Sequence, residues 1–228
     1  MQLEKVTTAG IQAEKRWYDD ACGTALALEL VGERWSLLIV RELMFGARRF
    51  GEIKANLPGI SANVLTQRLE GLVGAGIAER RKLPSPANVP VYDLTDWGRE
   101  AEVAIRELGR WAARSPRHDP LLFMSAASAM VSLRTLVDPA RARDLVMAVA
   151  FVMPTDAFTG TLAGGELAIV RGRTDAADVI FAGDTMALRR SFYGKEGFDG
   201  EGLLAVEGDR AKAQAFADLF ALPDKLAG

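Results

Sequence analysis

The 228-residue chain holds one cysteine and one histidine. With Cys22 alone no intrachain disulfide can close, and Cys22 with His118 cannot supply the ligands of a Cys/His zinc site. His118 is flanked by Arg117 and Asp119 in a proline-containing segment, a solvated setting that does not suit a Ser-His-Asp triad. No carboxylate pair has a distinguishing context. The expectation is therefore no enzyme, with no catalytic residue, metal or cofactor. Long apolar runs are also missing: the longest candidate, LVMAVAFVM, falls far short of the roughly 20 residues a bilayer span requires. The opening MQLEKVTTAGIQAEKRWYDD lacks the apolar core of a secretory leader, so a cytoplasmic protein without a membrane partner is expected. There is little charge of either sign to spare. A net charge of −2 argues against indiscriminate nucleic-acid binding and leaves the placement of charge as the informative quantity.

What is present is globular: 49% hydrophobic and 25% charged residues. The segment WAARSPRHDP ends a helical pattern with Pro116 and Pro120, which lack amide donors and disfavour helix at the preceding residue. Beyond it glycine clusters become frequent. Two domains are predicted, 1–115 and 116–228.

In the first, Trp35, Leu38, Ile39 and Leu43 recur at the spacing of one helix face, and Phe50, Ile53 and Leu57 repeat it in a shorter helix. Pro58-Gly59 supplies a turn, and Ser61 suits the N-cap of a helix running to about Ala75. Leu65, Leu69 and Leu72 form its buried stripe; Asn63, Thr66, Gln67 and Glu70 lie opposite. That arrangement is a helix-turn-helix. IAERRKL (77–83) then reads as a basic strand, PSPANVP (84–90) as a turn, and VYDLT (91–95) as the return strand. Asp96 opens a closing helix with Ala104, Ile105, Leu108, Trp111 and Ala112 on one side. The assembly is a winged helix-turn-helix, with Trp35, Phe50 and Trp111 expected as core aromatics.

The strings VGERWSLLIVRELMFGARRFGEI, LPGISANVLTQRLEGLVGAGIAER and VYDLTDWGRE, spread over about 90 residues, resemble the HxlR-type winged-helix regulators of bacteria. The resemblance implies a cytoplasmic, dimeric transcription factor, often a repressor, paired through the first and last helices of the domain. Members commonly carry Cys-Pro before the first helix, whereas here Gly23 follows Cys22. Some use an N-terminal cysteine as an oxidant sensor; for Cys22 the alternative is a small half-buried residue at a helix start.

The residues themselves fit a double-stranded DNA operator as partner. Helix N-termini and arginines satisfy phosphates, while amide side chains read base edges. Asn63 and Gln67 lie one turn apart and suit adenine in the major groove, with Ser61 and Thr66 beside them. Arg48 and Arg49 are placed to hold the backbone. Arg80, Arg81 and Lys82 bring the wing to neighbouring phosphates or the minor groove. Arg68 is either a phosphate contact or half of an ion pair with an acid such as Glu70 or Glu52. Taken singly, each of these is an ordinary surface polar residue.

In the second domain a helix is predicted over 121–137, strands over 145–153, 166–171, 178–182 and 203–207, and helices over 185–193 and 210–220. The glycine-rich 160–165 lacks the Gly-Lys-Ser/Thr of a phosphate loop and is read as a turn. The predicted fold class is α+β, the second domain being an antiparallel sheet with helices on one face. ADVIFAGDTMALRRSFYG and LLAVEGDRAKAQAFADLFAL resemble the sterol-carrier-protein fold, which implies an apolar cavity for a lipid-like molecule; Met130, Met147, Met153 and Met186 are lining candidates or core. The expected function is a homodimeric regulator modulated by a small apolar or lipid-like effector. The competing expectations are a lipid carrier whose winged helix serves protein contacts, and a regulator whose second domain only supports assembly.

Overall fold

The computed structural model describes residues 18–83, 86, 88–174 and 176–226. The first part runs α1 (Gly23–Val31), α2 (Ser36–Leu43), α3 (Phe50–Ala55), α4 (Ala62–Gly74), β1 (Ala78–Lys82), β2 (Pro90–Leu94) and α5 (Asp96–Ala113). β1 and β2 pair antiparallel with Arg80 opposite Tyr92. The α3–α4 connection turns at Gly59, whose φ of +91° suits a residue without a Cβ. Ile39, Leu43, Ile53, Leu65, Leu69 and Leu72 are fully buried, so the stripes read from the sequence do meet in one core. This is the expected winged helix-turn-helix.

The second part contains α6 (Ala126–Leu136), α7 (Pro139–Ala142), β3 (Met147–Val152), β4 (Ala157–Ala163), β5 (Glu166–Arg171), β6 (Val179–Ala182), α8 (Thr185–Phe192), β7 (Ala205–Gly208) and α9 (Arg210–Ala217). The sheet order is β5-β4-β3-β6-β7. Its class differs from the expectation: β3 and β6 run parallel, so the sheet is mixed. The reading of 160–165 as a turn also fails in part, because Gly160 lies inside β4 and only Gly164-Gly165 turn. AFTGTLA alternates properly, with Phe158, Gly160 and Leu162 inward. A Cβ on Gly160 would come within 2.8 Å of Val149 Cγ2, so the glycine marks a close approach within the sheet.

Between this sheet and its helices the space is filled by rings. Phe151, Phe181, Phe192, Phe216 and Phe220 are all essentially inaccessible, with centroids as close as 5.0 Å for Phe216 and Phe220. Met130, Met147 and Met153 are likewise core residues.

The break at residue 115 falls between α5 and α6, yet the two halves share one continuous apolar core. α6 packs against both α2 and α5. Polar links cross the same seam: Ser125 Oγ donates to Glu42 Oε1 at 2.7 Å, and Arg134 Nη1 meets Glu102 Oε2 at 2.9 Å. The chain's last described residues return to the end of α5. Leu226 N donates to Arg114 O at 2.8 Å, and Lys225 Nζ reaches the carbonyls of Ala113, Ser115 and His118.

Trp111 corrects an expectation. It is 73% exposed, together with Val103 and Leu108 on α5 and Leu26 and Leu28 on α1. Trp35 and Phe50 are half-buried against the core, as an aromatic packing role requires.

Candidate nucleic-acid interface

Ser61 caps α4, its Oγ accepting from Val64 N at 3.2 Å. The leucine stripe faces inward, which by helical geometry sends Asn63, Thr66 and Gln67 outward; all three are exposed. None makes a hydrogen bond or ion pair with another described residue. The amide groups therefore keep both donor and acceptor for an incoming partner, and the first-turn backbone N–H groups of α4 add positive potential beside them.

Arg49 is exposed at the N-cap of α3, with its backbone N donating to Glu52 Oε2 at 2.7 Å. Arg48 is not available to phosphate. Its backbone pairs with Tyr92 on β2, and in this extended stretch alternate side chains face opposite ways, turning Arg48 inward and Arg49 outward. Arg48 Nη1 lies 2.8 Å from Asp156 Oδ2, and both side chains are buried.

Arg68 is the ion pair rather than the free cation. Its Nη2 sits 2.7 Å from Glu33 Oε2 and its Nε donates to Arg34 O at 3.2 Å, tying α4 to the turn before α2. The acid is Glu33, not Glu70 or Glu52.

On the wing, Arg80 and Lys82 are exposed on one face of β1 and have no carboxylate partner among the described residues. Arg81 points the other way, to Asp93 and Glu79, and stays half exposed. Asp93 is buried and also takes Arg99 Nη2 at 2.9 Å. The wing tip, at 84, 85 and 87, lies outside the described residues.

Asp93 and Asp156 are the buried carboxylate partners of these arginines that sequence reading missed. Asp93 did leave a signal, sharing the inward register of β2 with buried Val91. Asp156, in the β3–β4 turn, left none.

Cys22 is exposed at the N-cap of α1 and not half-buried. Hydrogen bonds from Thr24, then from the Ala25 backbone, hold its thiol below its ordinary value.

The described residues thus leave exposed an amide face on α4, Arg49 before α3, and Arg80 and Lys82 on β1, the strand that packs against α4. The HxlR-like helix-turn-helix family matches residues 30–119. Among curated proteins, the HTH-type regulators YvaP and YodB of Bacillus subtilis are 37% and 38% identical over 86 residues each. Those matches cover 38% of this chain and 80% and 77% of the two relatives. Rv3095 of Mycobacterium tuberculosis is 48% identical over 85 residues, 37% of this chain and 53% of that protein, so the chain spans about half the length of this relative. Among solved structures, the reduced form of Bacillus subtilis YodB aligns with 35% identity and a TM-score of 0.39, covering 43% of this chain and 98% of YodB. By the extent of its match to YvaP and YodB, the chain belongs to the HxlR-like helix-turn-helix family.

Proposed function

We propose that the chain is a homodimeric, DNA-binding transcription regulator acting as a repressor. The observation that carries this is the unpartnered amide face of α4, Asn63, Thr66 and Gln67, together with exposed Arg80 and Lys82 on the wing, which have no carboxylate partner among the described residues. Asn63 and Gln67 read base edges in the major groove, while Arg49, Ser61 and the two wing cations hold phosphates. Arg81, shared with Asp93, contributes less, and Arg68 positions α4 through Glu33.

Dimerisation buries the apolar residues that α1 and α5 leave exposed. In the dimer two α4 helices enter successive major grooves, which requires half-sites about 34–36 Å apart. Curated relatives at 37–48% identity are named as transcriptional regulators, in keeping with this reading. A small apolar or amphipathic effector modulates the complex by binding unequally to its two dimer geometries. Cys22, exposed at the start of α1, gives oxidants a route to the same interface.

The test is an electrophoretic shift on the chain's own promoter, titrated with salt. Binding that falls steeply with rising salt supports the reading, because displaced counterions return to the duplex. No shift at low salt overturns it and favours the carrier alternative.

A further inference from the structure

A cavity of about 420 Å³ opens where the two halves meet, between α2, α5, α6 and α8. Its volume is on the scale of pockets that hold drug-sized molecules. Most of its wall is apolar, supplied by residues such as Leu38, Ile105, Val131 and Leu222, but two guanidinium groups, Arg41 and Arg189, also line it. Among the described residues no aspartate or glutamate does.

The two arginines are not equivalent. Arg41 is neutralised by Glu42, whose Oε1 accepts from Arg41 Nη2 at 2.9 Å. Arg189 is buried and has no carboxylate partner among the described residues. Its Nη1 donates to the carbonyls of Pro120 and Leu122, its Nε to Thr185 O at 3.2 Å, and its Nη2 meets only the Met186 sulfur at 3.6 Å. A thioether is a weak acceptor, so one face of a buried cation is left under-satisfied. Burial pulls this guanidinium below its ordinary pKa, with the charges of Asp184 and Asp119 opposing from beyond ion-pair distance. An anion arriving at Nη2 supplies what the protein does not.

We propose that this junction cavity is the binding site for a small amphipathic organic acid, whose carboxylate pairs with Arg189 and whose apolar body lies between α5 and α6. The proposal deepens the effector reading above and rests on it for any effect on DNA. It places the effector outside the sheet–helix space of the second half, which buried phenylalanine rings pack. Because α5 also carries exposed Trp111 and Leu108, an occupant of the cavity presses on the helix that the proposed dimer shares.

The test uses the full chain without DNA, with decanoate as probe and 1-decanol as its uncharged counterpart, followed by titration calorimetry. Decanoate is expected to bind about tenfold more tightly than decanol, the scale of one charge-assisted hydrogen bond. Arg189→Gln should erase that preference and leave decanol affinity unchanged. Arg189 also ties down the 120–122 segment, so a second variant guards against misfolding. Gly109 lines the cavity within α5 and has open space at its Cβ position, so Gly109→Leu fills the site while favouring the helix. That variant should lose both ligands. Equal affinity for decanoate and decanol, or undiminished decanoate binding in Gly109→Leu, overturns the proposal. If decanoate binds here but leaves the operator complex unchanged in a separate electrophoretic shift, the site stands and the effector reading falls instead.

Discussion

Arg48 Nη1 and Asp156 Oδ2 stand 2.8 Å apart, with their side chains 3% and 2% exposed, and they join the start of the helix-turn-helix to the β3–β4 turn of the sheet. Asp156 also receives Arg171, at 2.6 Å from Nη2. One carboxylate thus compensates two arginines from different parts of the chain. Removing it leaves buried Arg48 without a counter-charge, so Asp156→Ala should cost about 3–5 kcal/mol in urea unfolding. Arg48→Met leaves Asp156 still paired with Arg171 and should cost less. Equal losses would show that Arg171 does not share the load.

The reading face makes separable predictions. Asn63→Ala or Gln67→Ala should each weaken the cognate operator by ~1–3 kcal/mol and relax base preference. Arg80→Ala and Lys82→Ala should weaken every sequence alike and each reduce the logarithmic salt slope by about 1. Arg81→Ala should do less, because Asp93 already holds that guanidinium. Fluorescence anisotropy against cognate and scrambled duplexes at several salt concentrations checks all of these.

The exposed apolar residues of α1 and α5 predict the behaviour of the proposed dimer. Trp111→Glu, or Leu28→Glu, places a charge where the proposed interface must be dry. Sedimentation velocity should show a monomer with unchanged helical circular dichroism. A persisting dimer would move the interface elsewhere.

His118 predicts a pH response. Burial, then the charge of Lys225, lowers its pKa from 6.5, with Asp119 opposing. The folded chain therefore holds fewer protons at His118 than the unfolded chain does below about pH 6.5, and this part of the stability falls as pH drops through that window. Asp178 and Asp199 are also lowered, but from 3.8, so their losses come at lower pH. Thermal midpoints at pH 7.5 and 5.5 should fall more for the native chain than for His118→Gln.

The winged helix was legible because each element carries its own periodicity: the leucine stripe of α4, the Ser61 cap and the Pro-Gly turn all point to one arrangement. β4 was not, because glycine and threonine in AFTGTLA carry turn chemistry that the packing of Phe158 and Leu162 overrides. The parallel β3–β6 pairing depends on connections that no local pattern announces. On α4, helix periodicity put Asn63 and Gln67 on the side opposite the leucines, where both are exposed. Arg48 and Arg49 look identical in sequence, and only pairing with β2 decides which of them turns inward. Trp111 misled because its place on an apolar helix face looks the same whether the covering surface comes from this chain or from another.

The return of Lys225 and Leu226 to the end of α5 brings the beginning and finish of the second half to one place. With the Arg48–Asp156 pin and the Ser125–Glu42 and Arg134–Glu102 links, that half cannot pivot as a body without breaking these polar contacts. The effector reading proposed above then requires α5, which packs against α6, to carry the change. Lys225→Ala, which removes the bonds to the carbonyls of Ala113, Ser115 and His118, should therefore loosen the α5–α6 connection.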